Sequence, residues 1–179
     1  MIERSVFHLI SELTQKEGVS CVLIGGFAVN HYGVSRQTAD VDYLITKEDF
    51  DKILPHLEKT GYQQLSSQDN FAQLKSSHLP LMDIDFMFVE KETFGKVLKE
   101  AQQLTIVSQK FKVPSLNHLI ALKLHAIKHN SKIRLIRDFP DIINLIRINK
   151  VAVKNNQFKE LCLKFGTEEI YQRILETLK

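Results

Sequence analysis

The chain has 179 residues, of which 44% are hydrophobic and 25% are charged, and its formal net charge is +3 at pH 7. This composition excludes a disordered protein, because it holds enough apolar side chains for the core of one domain, or of one domain with a helical appendage. The small positive charge permits attraction to nucleotides, but the sequence shows neither a DNA-binding motif nor the basic stripe of a dedicated nucleic-acid-binding protein.

The sequence indicates neither a disulfide framework nor a membrane anchor. Cys21 and Cys162 stand far apart in apolar surroundings, which predicts buried, reduced thiols. No apolar run reaches the roughly 18 residues that span a bilayer, and the N-terminus carries no secretory hydrophobic region. We therefore expect a cytoplasmic protein.

The first predicted elements are a helix and a short buried strand. Apolar residues recur at helical spacing from Ile2 to Leu13, and Gly18 ends the pattern. Residues 21–24 then form a continuous apolar run that stops at two glycines. Such a run, cut off by glycines, is typical of a buried strand.

The glycine pair after this strand predicts a phosphate-binding turn. Gly25 and Gly26 carry no β-carbon, so a ligand can approach their N–H groups, and residues 27–31 predict one or two helical turns. A helix N-terminus presents free N–H groups and a partial positive charge, both of which suit a phosphate. Gly33 fits the left-handed position that commonly ends a helix.

Residues 39–45 predict a strand with two carboxylates on one face. Because strand side chains alternate, Asp40 and Asp42 point the same way, with β-carbons about 7 Å apart. Carboxylates directed at one point repel each other unless a cation lies between them, and Mg²⁺ prefers oxygen ligands of this kind. In the polar loop before this strand, the charge of Arg36 suits either a triphosphate or a nearby aspartate.

The middle of the chain predicts a helix, a polar loop and a weak strand. Thr46 resembles an N-terminal cap, and apolar residues at helical spacing continue to about Gly61. Pro55 within this pattern is expected to kink or shorten the helix. Residues 63–70 are rich in Ser and Gln and predict a mobile surface loop or a turn between strands, whereas residues 71–74 predict a weak strand.

Residues 81–89, LMDIDFMFV, predict a second strand with acidic residues. One of its faces is apolar, and the other carries Asp83 and Asp85. An acid in so apolar a strand is costly unless it is paired or binds a cation.

The remainder of the chain predicts mostly helices. Residues 93–102 predict one helix, two short strands follow at 104–107 and 111–113, and Ser115 caps the next helix. In that helix Lys123 stands among apolar residues. This position favours either a contact with a nucleotide phosphate or a surface lysine whose ammonium group reaches water.

Two further pairs of polar residues in this region have structural explanations. His125 and His129 are spaced i and i+4 and would supply half of a metal site, but no third ligand is indicated, so surface histidines are favoured. Asp138 and Asp141 are expected to pair with nearby Arg134 and Arg137 or to cap a helix near Pro140. Two amphipathic helices complete the chain, the second of which begins near Thr167.

Together these motifs resemble the signature of the nucleotidyltransferase superfamily, which has the DNA polymerase β-like fold. The matching residues are GGFAV at 25–29, HYG at 31–33, Arg36, Thr38 and DVD at 40–42. Within the superfamily the sequence is most similar to the bacterial subgroup that includes AbiEii-type toxins. Residues 114–123 and 137–142 resemble further family motifs, with Arg137 where relatives commonly carry Lys.

The resemblance implies Mg²⁺-dependent transfer of a nucleoside monophosphate from a nucleoside triphosphate to an unidentified acceptor. It implies a two-metal site held by Asp40, Asp42 and a third carboxylate from the second acidic strand. Asp85 matches the family pattern better than Asp83, although both face the same way. The residues that would contact the nucleotide are Gly25, Gly26, Arg36 and Lys123.

The predicted order of elements fits an α/β (α+β) fold, with a small mixed β-sheet, flanking helices and a helical C-terminal region. We expect residues 1–113 to form the nucleotidyltransferase core and residues 114–179 to form a helical region packed on it. The alternatives are an enzyme that modifies antibiotic-like small molecules and a non-catalytic, partner-binding protein of the same fold. The acceptor stays open among a small molecule, an RNA end and a protein side chain, as does a toxin–antitoxin role.

Overall fold

The structure is a computed structural model that describes residues 5–78 and 81–179. Within these residues the chain forms eight helices and seven strands, which confirms the predicted mixed α/β fold. The helices are α1 (Val6–Glu17), α2 (Gly25–His31), α3 (Lys47–Lys59), α4 (Lys91–Lys99), α5 (Leu116–His129), α6 (Ser131–Ile148), α7 (Asn156–Phe165) and α8 (Glu168–Thr177). The strands are β1 (Val22–Leu23), β2 (Asp40–Ile45), β3 (Tyr62–Gln68), β4 (Phe71–Ser76), β5 (Asp83–Phe88), β6 (Gln102–Ile106) and β7 (Gln109–Val113).

The chain divides into two compact units. The first comprises the described part of Met1–Ala28 together with that of Gln37–Pro114, and it contains the sheet with α1, α3 and α4. The second comprises Val29–Arg36 and Ser115–Lys179, and it contains α5 to α8. The short segment Val29–Arg36 therefore groups with the C-terminal helices, although it precedes most of the sheet in sequence.

The strands of the first unit form one mixed sheet in the order β3-β4-β5-β2-β1-β7-β6. The pairs β2–β5 and β1–β7 are parallel, and the other neighbouring pairs are antiparallel. The central strand β2 thus lies between β5 and β1. The two acidic segments of the sequence are neighbours in the sheet.

Aromatic side chains fill the core beneath these central strands. The ring of Tyr43 stacks on that of Phe86 with centroids 5.8 Å apart, and Phe86 contacts Phe50 of α3 at 5.0 Å. Tyr43, Phe86 and Phe50 are fully buried. Because side chains alternate along a strand, burial of Tyr43 and Phe86 places Asp42 and Asp85 on the opposite face of the sheet.

The helix predicted near the N-terminus is confirmed as α1. Its buried face includes Val6, Leu9 and Ile10, and the Ser5 hydroxyl accepts a hydrogen bond from the N–H of His8 at its start. Gly18 ends the helix with a left-handed φ of +63°, as the sequence indicates. Ile2, the first residue of the predicted pattern, lies outside the described residues.

The loop or strand turn predicted at residues 63–70 is wrong for most of that segment, which belongs to β3, and only Asp69 and Asn70 form a turn. This strand is at the edge of the sheet, and it pairs antiparallel with β4. Its first residue, Tyr62, is buried, whereas the residues that follow are mostly exposed. An edge strand has only one neighbouring strand, so a polar sequence is tolerated there and pairing with β4 outweighs its weak strand propensity.

Of the two effects predicted for Pro55, a kink or a shorter helix, the shortening is wrong, since α3 continues through this residue to Lys59. A proline inside a helix costs about 3 kcal/mol. Burial of a large apolar side chain contributes about 1.5–3 kcal/mol, and α3 buries Phe50, Ile53 and Leu57. Packing of three such side chains is therefore sufficient to keep the helix intact.

The bounds of two helices also differ from the prediction. The helix α2 begins at Gly25 itself rather than after the glycine pair. The helix α4 ends at Lys99, and Gln102, expected in that helix, begins β6.

Both cysteines are free, as predicted, and burial raises the pKa of Cys21 and Cys162 to about 12, so the thiols stay protonated at neutral pH.

The second unit is helical, and three of its helices begin at hydrogen-bonding caps. The side chains of Ser115, Asn155 and Thr167 accept backbone N–H groups at the starts of α5, α7 and α8. The helix α6 continues through Pro140, so the expectation of a helix start near that residue is wrong. In the part of the chain that the structure describes, no helix is long and apolar enough to cross a membrane.

Two buried tyrosines of the first unit provide a matched test of this core. The Tyr62 hydroxyl donates to the carbonyl of Met82 at 2.8 Å, whereas the Tyr43 hydroxyl has no hydrogen-bond partner among the described residues. We expect Tyr62→Phe to lower the free energy of unfolding by about 1 kcal/mol. Tyr43→Phe should leave it unchanged or raise it, because a buried polar group without a partner is removed.

Urea denaturation of both variants measures this difference. A clear loss of stability in Tyr43→Phe, equal to that in Tyr62→Phe, would contradict the structure of the core around β2.

Candidate active site

Three carboxylates converge on one face of the sheet in the first unit. Asp40 and Asp42 lie on β2, and Asp85 lies on β5, directly opposite Asp42 in the parallel pair. One oxygen atom from each of the three lies within 4.8 Å of the others, and each residue is half-buried. The structure thus brings together the three residues that the sequence predicts as metal ligands.

Asp83, the alternative third carboxylate, has a different neighbourhood. It pairs in register with Asp40, and its Oδ1 accepts a hydrogen bond from the backbone N–H of Ser76 at 3.0 Å. This bond ties the start of β5 to the end of β4. Among the described residues Asp83 does not join the group of three carboxylates.

The glycine pair lies directly against this acidic cluster. A β-carbon added to Gly25 would stand 1.8 Å from Oδ2 of Asp42, and one added to Gly26 would stand 2.7 Å from Oγ1 of Thr38. Gly25 also has a φ of +61°, which side-chain-bearing residues rarely adopt. Any other residue at position 25 would displace the Asp42 carboxylate.

The donor set fits a hard divalent cation. Three half-buried carboxylates within 4.8 Å of one another repel, and this repulsion is relieved by a cation with several oxygen ligands. Mg²⁺ takes carboxylate and phosphate oxygens and keeps several waters. The cluster therefore suits Mg²⁺ or a similar divalent cation.

A comparison with known protein families finds one that matches almost the whole chain. A family of proteins described as uncharacterised nucleotidyltransferases matches residues 4–179. The chain belongs to this family. No curated protein matches it.

Solved structures of other nucleotidyltransferases share the fold. The antibiotic-resistance factor ANT(2'')-Ia is 13% identical over 96% of this chain and 88% of its own, with a TM-score of 0.59. The lincosamide antibiotic adenylyltransferase LnuA, solved with lincomycin, is 17% identical over 78% and 93%, with a TM-score of 0.55. An antigenic nucleotidyltransferase-like protein from Paracoccidioides brasiliensis is 17% identical over 95% and 84%, with a TM-score of 0.55.

In the second unit of this nucleotidyltransferase, Lys123 is buried rather than at the surface. Its ammonium group donates to Oδ1 of Asp138 at 2.8 Å and to Oδ2 of Asp141 at 2.7 Å. Both aspartates lie on α6 and are also buried. The interpretation as a surface lysine is therefore wrong. The predicted phosphate contact stays a prediction, since two of the three N–H donors already bind carboxylates.

Arg36 joins the same cluster from the segment that precedes β2. Its guanidinium group pairs with Oδ2 of Asp141, and its backbone N–H and carbonyl both bond to the side chain of Asn30 at 2.9 Å. Asp141 thus bridges Arg36 and Lys123. Of the two alternatives for Arg36, the structure shows a pair with an aspartate, although that partner is 105 residues away in sequence, and the triphosphate contact stays a prediction.

Two remaining predictions in this unit concern the histidine pair on α5 and the arginine partners of the α6 aspartates. The rings of His125 and His129 lie 4.3 Å apart on α5, and no third ligand joins them among the described residues. Arg134 approaches Oδ2 of Asp138 at 3.7 Å, which is an ion pair but not a hydrogen bond. Sequence reasoning proposed this arginine as a partner, but it missed Lys123, the stronger partner of Asp138.

The Lys123 cluster generates a prediction about stability. We expect Lys123→Met to lower the free energy of unfolding by about 3–5 kcal/mol, because it leaves two buried carboxylates without their shared cation. The matched control is Lys128→Met on the same helix, where the lysine is exposed. That control should stay within about 0.5 kcal/mol of the parent.

Urea denaturation midpoints of the two variants measure the effect. Equal stability of Lys123→Met and Lys128→Met would show that the buried ion pairs do not support the fold.

Proposed function

We propose that this protein transfers a nucleoside monophosphate from a nucleoside triphosphate to an acceptor and that it does so with Mg²⁺. The observation that carries the proposal is the convergence of Asp40, Asp42 and Asp85 within 4.8 Å beside a glycine pair. Membership in a nucleotidyltransferase family supports the same reaction.

In the proposed reaction an acceptor hydroxyl, or a similar group, attacks the α-phosphorus of the triphosphate. A bond forms between the acceptor oxygen and the α-phosphorus, and the proton of the acceptor hydroxyl is released to solvent. The bond between the α-phosphorus and its bridging oxygen to the β-phosphate breaks, and pyrophosphate leaves. Divalent ions, if bound in a two-metal site, would supply charge neutralisation for the attacking and leaving oxygens. Asp40 and Asp42 would hold the ion on the triphosphate, and Asp85 would help to hold the ion at the nucleophile.

The residues that are proposed to contact the nucleotide differ in their surroundings and in their exposure. Gly25 and Gly26 lie beside the acidic cluster, and the space that their missing side chains leave is occupied by Asp42 and Thr38. A phosphate would therefore contact their backbone N–H groups from another direction. The Arg36 side chain is 36% exposed, so part of its guanidinium group is accessible while it pairs with Asp141. Lys123 is only 7% exposed, so a phosphate would have to compete with its two carboxylates.

The acceptor is the open part of the proposal, and one candidate class has specific support. The fold neighbours ANT(2'')-Ia and LnuA are an antibiotic-resistance factor and an antibiotic adenylyltransferase. Of the three candidate acceptors, they support an antibiotic-like small molecule over an RNA end or a protein side chain. A non-catalytic, partner-binding role is disfavoured because all three carboxylates are present and converge. A toxin–antitoxin role stays a prediction from resemblance. A cytoplasmic location stays a prediction from the sequence, and the two free cysteines are compatible with it.

The experiment that tests the reaction uses nucleoside triphosphates labelled at the α- or γ-phosphate, together with cell extract and Mg²⁺. The proposal predicts that α-label enters an acceptor fraction and that γ-label leaves with pyrophosphate. Fractionation into small molecules, RNA and protein then identifies the acceptor class. Transfer of γ-label to the acceptor would instead indicate a kinase-like reaction and would overturn the proposal.

Asp42→Asn provides the most direct prediction about the acidic cluster. Removal of one charge with the shape retained should leave the free protein as stable as before or slightly more stable, because carboxylates within about 4–6 Å disfavour one another's charged forms. It should also abolish most of the rise in melting temperature that Mg²⁺ and triphosphate cause by binding the folded state. The matched control, Asp69→Asn, removes an exposed charge from the turn between β3 and β4.

Thermal melts of the parent and both variants, with and without Mg²⁺ and nucleotide, measure these effects. An Asp42→Asn protein that is destabilised without metal, yet gains as much from the ligands as the parent, would show that Asp42 is structural.

A further inference from the structure

The hydroxyl group of Thr38 lies against one of the three carboxylates of the first unit. Its Oγ1 is 3.0 Å from the backbone carbonyl of Asp40 and 3.1 Å from Oδ1 of the same residue. On its other side the Thr38 side chain packs on Gly26, where an added β-carbon would come within 2.7 Å of its Cβ and Oγ1. Thr38 is therefore held between the glycine pair and a candidate metal ligand.

We propose that Thr38 is a positioning residue, which orients the Asp40 carboxylate for a divalent cation. The inference rests on the proposed function, since it assigns Asp40 to a metal site. It adds a residue that does not itself bind the metal or the nucleotide.

The chemistry of the contact supports this assignment. A threonine hydroxyl carries a single proton, and both oxygens near Oγ1 of Thr38 belong to Asp40, so either acceptor ties Thr38 to this residue. A bond to Oδ1 restricts rotation of the carboxylate and leaves the other carboxylate oxygen for a cation. Hydrogen bonds of this kind fix the orientation of metal-binding side chains, and their loss commonly lowers metal affinity about 10–100-fold.

The packing of Thr38 explains how its hydroxyl stays in place. A β-branched side chain has few allowed χ1 rotamers. With Gly26 close to both Cβ and Oγ1, the side chain has little room to turn away from Asp40. The glycine at position 26 thus has a second purpose beside any phosphate contact, because a larger residue there would displace Thr38.

The hydroxyls that cap helices in this chain show a different pattern. Those of Thr46, Ser115 and Thr167 accept backbone N–H groups at helix starts. The hydroxyl of Thr38 donates instead, and one of its two acceptors is a carboxylate of the acidic cluster. A purely structural role would need only the bond to the backbone carbonyl.

The test measures Mn²⁺ binding to the full-length protein by electron paramagnetic resonance of the free ion, with and without a non-hydrolysable nucleoside triphosphate. Thr38→Val keeps the branched shape and removes the hydroxyl, and Thr38→Ser keeps the hydroxyl and removes the methyl group. We expect Thr38→Val to bind Mn²⁺ about tenfold or more weakly than the parent, while Thr38→Ser binds close to the parent's affinity. Thr105→Val, at an exposed threonine of β6, is the control for the substitution itself and should bind like the parent.

The outcomes separate the inference from the proposed function. If the parent binds no Mn²⁺ even with nucleotide, the metal site is wrong and the inference fails with it. If the parent binds Mn²⁺ and Thr38→Val binds it equally well, only the role of Thr38 is wrong. The role is also wrong if Thr38→Ser loses as much affinity as Thr38→Val, because packing rather than the hydroxyl would then be responsible. Should Thr38→Val fail to fold in thermal melts, Thr38→Ala replaces it, with the same expected loss and the same contradicting result.

Discussion

The parallel register between β2 and β5 is the constraint on which the acidic cluster depends. This register places Asp42 opposite Asp85 and, one residue further on, Tyr43 opposite Phe86. A slip of one residue would turn every side chain of a strand to the other face of the sheet, so the buried aromatic pair would be exposed and the carboxylates buried in the core. The energy that holds the cluster together therefore comes mainly from apolar packing on the opposite face of the sheet.

The carboxylates themselves oppose this arrangement. Three half-buried acids within 4.8 Å of one another repel, and burial of a charge is costly unless it is paired. The chain nevertheless gives up a side chain at Gly25, in a left-handed conformation, to leave space for the Asp42 carboxylate. Local arrangements that cost stability in this way persist where the surrounding structure enforces them, and they are common at functional sites. A bound metal ion with its triphosphate would make the same arrangement of carboxylates favourable, because the ion attracts them.

Local sequence patterns predicted much of this fold, because they arise from short-range physics. The spacing of apolar residues in α1, its end at Gly18 and the cap at Ser115 involve neighbours within a few residues. The alternation of side chains along β2 and β5 also predicts which face of each strand carries its carboxylates. The polar strand β3 was missed because pairing with β4, rather than its own propensity, makes it a strand. The partners of Lys123 were missed because ion pairs between helices carry no local signal, and Asp138 and Asp141 are 15 and 18 residues away.

Asp83 and Asp85 provide the most direct test of the account, because they lie two residues apart on the same strand face and differ in what they contact. Asp83 bonds to the backbone of β4, whereas Asp85 belongs to the cluster with Asp40 and Asp42. The decisive measurement is a calorimetric titration of Mg²⁺ and a non-hydrolysable nucleoside triphosphate into Asp83→Asn and Asp85→Asn. A metal site built on β2 and β5 predicts that Asp85→Asn loses most of the Mg²⁺-dependent nucleotide affinity and that Asp83→Asn retains it. Retention of that affinity in Asp85→Asn, or a greater loss in Asp83→Asn, would contradict a metal site built on β2 and β5.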